Sequence, residues 1–99
     1  MARLTKGDIL ARREAIARLA RAHGAVDIRL FGSLARDEAD QASDIDFLVT
    51  PAAATPPFFP GGLVAALEDL LGIEVQVTLD SPRLSGRLRA AIARDLVAL

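Results

Sequence analysis

Apolar positions alternate between two periods along the chain. Ile9, Ile16, Leu19 and Ala20 fall on one side at a period near 3.6, behind Thr5 and Asp8 spaced as a capping box. Gly24 is the stop signal, so the spacing predicts a first helix over residues 6–23. The period then drops to two. Val26, Ile28 and Leu30 alternate with Asp27 and Arg29 as far as Phe31, which predicts a strand. Gly32-Ser33 breaks it, and Leu34 to Glu38 leaves room for a short helical turn. Asp44 to Val49 predicts a second strand with Ile45, Phe47 and Val49 on one face, ended by Pro51. A proline-rich loop follows over residues 51–60. Leu63, Val64, Leu67, Leu70 and Leu71 mark a helix closed by Gly72. Ile73, Val75, Val77 and Leu79 then alternate with Glu74, Gln76 and Thr78 as a third strand. Ser81-Pro82 reads as an N-cap with proline at the first helical position. Leu84, Leu88, Ile92 and Leu96 extend that last helix to about residue 98.

The predicted order is α-β-(short α)-β-α-β-α, an α/β (α+β) arrangement of one three-stranded sheet with helices packed against it. With 99 residues, 52% of them hydrophobic and 25% charged, the chain fits a single domain spanning 1–99. It has no cysteine, which excludes a disulfide framework, a thiolate metal site and a cysteine nucleophile. The N-terminus lacks the apolar core of a signal peptide, and the uncharged stretch from Phe47 to Leu67 carries too many prolines and glycines for a membrane span. A cytoplasmic protein without membrane contact is expected.

A net charge of −1 conceals three blocks: +5 over residues 1–36, −9 over 37–80 with no base at all, and +3 over 83–99. The central acids need cations from the flanking helices or a metal ion, or else they are solvated. Asp44 and Asp46 differ from the rest. In an extended chain they share a face, about 6.6 Å apart along the backbone, opposite Ile45 and Phe47. Two carboxylates so placed repel unless a cation lies between them or one takes up a proton. Mg2+ suits them as a hard ion that prefers carboxylate and phosphate oxygens. Gly32-Ser33 is the complement. Glycine at a strand end lets a ligand approach the main chain, and serine adds a hydroxyl and an N–H suited to a phosphate.

Leu30 to Arg36 (LFGSLAR) followed by Ser43 to Val49 (SDIDFLV) resembles the signature of the minimal nucleotidyltransferase (MNT) family, within the DNA polymerase β-like nucleotidyltransferase superfamily. Its pattern, Gly-Ser, ten residues, Asp-x-Asp, is matched by Gly32, Ser33, Asp44 and Asp46. The resemblance implies the polymerase β-like fold with a mixed sheet. It also implies transfer of a nucleotidyl group, AMP from ATP or another nucleoside triphosphate. Gly32, Ser33 and Arg36 would bind the nucleotide, and Asp44 and Asp46 would hold Mg2+ as the catalytic pair. Small members of this family serve as antitoxins that transfer AMP to a tyrosine of a HEPN-family ribonuclease toxin. Toxin–antitoxin pairing, with a protein partner, is therefore expected, and direct nucleic-acid binding is not, given the acidic central block.

One position departs from the family pattern. Its third carboxylate, on the last core strand, corresponds here to Gln76. An amide oxygen can ligate Mg2+ but adds no charge and cannot act as a general base. That opens a second reading: a catalytically weak nucleotide-binding module that silences its partner by contact. Glu74, two residues back on the same face, is a candidate substitute. Three further features stay open. Arg36 either contacts phosphate or pairs with Asp37, Asp40 or another acid. Phe58 and Phe59 either cover the core edge or form an exposed apolar patch. His23, the only histidine, is read as a helix C-terminal residue rather than a catalytic one.

Overall fold

Two helices, α1 (Lys6–Ala11) and α2 (Arg13–Ala22), open the computed structural model, which describes residues 4–36 and 44–99. Thr5 and Asp8 form the expected capping box: each main-chain N–H bonds the other's side chain, at 2.8 and 3.1 Å. The single helix expected over 6–23 is two, because Arg12 leaves helical geometry at φ −105° and ψ 12°. Ile9 and Ile16, seven residues apart, stay fully buried across the break. The hydrophobic period therefore runs through it unchanged and does not reveal it.

β1 (Ala25–Phe31) and β2 (Ile45–Pro51) pair antiparallel, and α3 (Gly61–Leu71) crosses over to β3 (Val75–Leu79), which runs parallel to β2. The final helix, α4, is Gly86–Ala93 rather than 81–98. Ser85, not Ser81, caps it, accepting from the Leu88 N–H at 3.1 Å. Ser81 instead holds a turn, its hydroxyl accepting from Arg83 N–H at 3.3 Å. The end of the chain leaves the helix and adds a fourth strand, β4 (Val97–Ala98), along the free edge of β1. The sheet thus has four strands in the order β3-β2-β1-β4, mixed as expected, with one strand more.

One sheet face carries the core. Ile28, Leu30, Ile45, Phe47, Val49 and Val75 meet Ile9, Ile16 and Ala20 of α1 and α2 and Leu63, Leu67 and Leu71 of α3. The alternation that sends these side chains to the core sends Asp46, Leu48, Thr50 and Gln76 to the opposite face. There α4 is tied down by charge: Asp80 accepts from Arg29 of β1 at 2.9 Å and also pairs with Arg89 of α4. The two adjacent phenylalanines divide between the two expectations. Phe59 packs at the core edge, close to Gly24, while Phe58 is 93% exposed at a left-handed φ of 63°. Among the described residues no helix is long and apolar enough to cross a membrane.

Candidate active site

The site is built where β1 ends beside the start of β2. Phe31 pairs with Asp46, and the next residue, Gly32, turns the chain at φ +81°. A Cβ there would collide with the Asp46 carboxylate and lie 3.1 Å from its Cγ. Only glycine meets both demands, the positive φ and the close approach. Ser33 to Arg36 then form one helical turn, in which the Arg36 N–H is shared between the carbonyls of Gly32 and Ser33, both at 3.2 Å. Leu34 and Ala35 are buried and anchor this turn to the core. Ser33 stays partly exposed beside Gly32.

Asp44 and Asp46 flank the buried Ile45, so both emerge on the face away from the core. The Asp46 carboxyl is held above the usual carboxylate range, first by burial and then by the charge of Asp44, with Arg36 opposing both. Burial is the larger cause, and the neighbouring carboxylate adds to it. Gln76 lies beside Asp46 in the parallel ladder, and its amide donates to Asp44 Oδ2 at 3.1 Å. Asp44, Asp46 and Gln76 are thus one cluster across two strands. Among the described residues no group of three acids or histidines could hold a metal, and the donors the structure gathers there are two carboxylates and an amide.

The other candidates fall as follows. Arg36 forms an ion pair with Asp95 beyond α4, Nη1 to Oδ2 at 2.7 Å, while still acting on Asp46 through its charge. Asp37 and Asp40, the partners suggested for it by proximity in sequence, lie outside the described residues. Glu74 is exposed just before β3; its carbonyl accepts from Ile45 N–H at 3.3 Å, but its side chain has no bond to the pair. His23 caps the C-terminus of α2, with its ring against Gly62, at the opposite end of β1 from Gly32. Sequence reasoning missed Asp95 and the Gln76–Asp44 bond. Neither has a local signal, since each depends on which strand or turn lies alongside.

Similarity to known proteins decides the family. The sequence matches the family model of the nucleotidyltransferase domain over residues 12–79. The chain belongs to the nucleotidyltransferase domain family. The matched span of this nucleotidyltransferase holds the Gly32-Ser33 turn, both carboxylates and β3, and leaves out α1, α4 and β4. A solved protein provisionally assigned as a minimal nucleotidyltransferase superposes with a TM-score of 0.85 and 37% sequence identity, over 100% of both chains. A toxin–antitoxin crystal structure with AMP-PNP gives a TM-score of 0.62 at 23% identity, covering 81% of this chain and 64% of that one, and supports the fold alone. No curated protein is significantly similar in sequence.

Proposed function

We propose that this nucleotidyltransferase moves AMP from ATP to a hydroxyl of a protein acceptor, and that it acts in the cytoplasm as the antitoxin of a HEPN-family toxin whose tyrosine it modifies. One observation carries the reading. The Gly32 main chain abuts the Asp46 carboxylate, so the turn suited to phosphate and the acidic pair are one site. The choice of nucleotide and partner follows the family resemblance, and a protein of the same fold is a toxin–antitoxin solved with AMP-PNP.

In this proposal the Gly32-Ser33 turn receives the triphosphate beside the Asp46 carboxylate. Asp44, Asp46 and the Gln76 amide oxygen, after an amide flip, form an all-oxygen donor set that fits Mg2+. When bound, Mg2+ would neutralise the pair and polarise the α-phosphate. Arg36 would exchange part of its pairing with Asp95 for the triphosphate. The acceptor oxygen attacks the α-phosphorus, the bond to the β-phosphate oxygen breaks and pyrophosphate leaves. The acceptor proton passes to a carboxylate or to water. Gln76 cannot take it.

The same amide favours a second reading, a nucleotide-binding module that silences its partner by contact, since Gln76 leaves the site one negative charge short. The deciding experiment is label transfer from α-labelled ATP with Mg2+ to the protein that co-purifies with this chain. Asp44→Asn with Asp46→Asn is the control. Label that disappears in the control supports the transferase. A stable complex that binds ATP without transferring label supports the module.

A further inference from the structure

The far end of the sheet carries a second feature, unrelated to nucleotide chemistry. β4 pairs with Arg29 and Leu30 of β1, and its antiparallel register sets Leu99 beside Ile28, so Ala25, Val26 and Asp27 have no strand on their outer side among the described residues. This open edge faces α2 across a hollow of about 190 Å³, and a second of about 390 Å³ continues it along the helix. The two share Ala17, Arg21 and Leu99. Small side chains, Ala17, Ala20 and Ala25, make the floor and leave room. Arg13, Arg18 and Arg21 line the rim, exposed and in no ion pair among the described residues, against Glu14 and Asp27. Val26 stands at a bulge in β1 and is 63% exposed.

We propose that this notch is a docking site for an extended, acidic segment of a protein partner, which continues the line of β4 along β1. The backbone wall selects an extended occupant, because unpaired strand N–H and C=O groups are completed by another strand. Side chains of an added strand alternate. Those turned toward α2 pass over Ala17 and Ala20 and end among the three arginines, where carboxylates are favoured. Three open residues of β1 offer about 10 Å of edge, enough for one short segment. Gly32 and Asp46 lie at the other end of β1, so a partner held here has the length of the strand between its anchor and the acidic pair. The notch does not depend on catalysis.

The test uses the whole chain and two fluorescent peptides, one alternating glutamate with valine and the other lysine with valine. Anisotropy should show saturable binding of the glutamate peptide that weakens with added salt. Arg18→Glu with Arg21→Glu should weaken it at least ~10-fold, while Arg18→Lys with Arg21→Lys and Asp44→Asn leave it intact. Hydrogen exchange should slow at residues 25–27 when the peptide binds. Equal binding of both peptides, no binding, or indifference to charge reversal would overturn the proposal. So would a dimer in sedimentation that the charge reversal dissolves, which would give the notch to a second copy of the chain.

Discussion

The Gln76 side-chain amide donates a hydrogen bond to Asp44 Oδ2 at 3.1 Å, across the parallel ladder that sets Gln76 beside Asp46. An acid at this position would set a third carboxylate beside Asp44 and Asp46, with Arg36 opposing their charge. The amide removes one charge from the cluster and steadies another, so it stabilises the metal-free site while weakening its hold on a cation. Gln76→Asp should therefore lower stability without metal, strengthen Mg2+ binding, and raise label transfer by about 10-fold or more. Thermal melts with and without Mg2+, beside a transfer assay, separate these effects. A variant that gains metal affinity but no transfer would show that charge at this position does not limit the chemistry.

Asp46 gives the pH dependence of the site. Its folded-state carboxyl lies above the ordinary 3.8, through burial and the charge of Asp44. The folded chain then holds a proton more tightly than the unfolded one. The stability linked to this proton is full below pH 3.8 and is lost as pH rises through the raised folded value. Above that raised value the metal-free protein carries the penalty. Asp46→Asn should remove it, raising the metal-free melting temperature. The same variant should lose the stabilisation that Mg2+ gives the wild type. Unchanged stability at pH 7 together with intact Mg2+ stabilisation would exclude Asp46 from the site.

Most of what makes the site was legible because it is local. Period-two alternation put Asp44 and Asp46 on the face opposite Ile45 and Phe47, and the Gly32-Ser33 spacing carried the family resemblance. Three features were not legible, and each is a choice between elements. The helix break at Arg12 leaves the Ile9–Ile16 spacing untouched. Leu84, Leu88, Ile92 and Leu96 suit a helix throughout, yet Gly86, a poor helix former, sits just after a second serine cap at Ser85. The last residues are worth more to the unpaired edge of β1 than to a helix end. Nothing in the sequence around Val97 reports that edge.

Two glycines should respond in opposite directions to the same change. Gly32→Ala places a Cβ against the Asp46 carboxylate at a positive φ, and should cost roughly 1–3 kcal/mol and suppress nucleotide binding. Gly86, the first residue of α4, has nothing within 4 Å of the corresponding position and no positive φ. Gly86→Ala should stabilise the chain by about 0.5–1 kcal/mol with nucleotide binding unchanged. Chemical denaturation and ATP titration of both variants check this. Equal effects would mean that the Gly32 turn is not held against Asp46.

Asp80 works in the opposite sense to Asp46. Hydrogen bonds from Arg89 and Arg29, aided by their charges, hold its carboxyl below 3.8 against a smaller opposing effect of burial. Its contribution is present above pH 3.8 and is lost as pH falls through the lowered folded value. The side chains are 20%, 21% and 45% exposed for Asp80, Arg29 and Arg89, so solvent screens the pair and limits its worth to about 1 kcal/mol or less. The consequence is local rather than global. Asp80 joins β1 to α4, whose one buried residue is Ile92, so few apolar contacts would replace a lost ion pair. Asp80→Asn should therefore speed hydrogen exchange in residues 86–93 far more than in β2. Its melting temperature should drop slightly at pH 7, and the gap from wild type should close on acidification. Uniform acceleration across the sheet would instead make Asp80 part of the global folding unit.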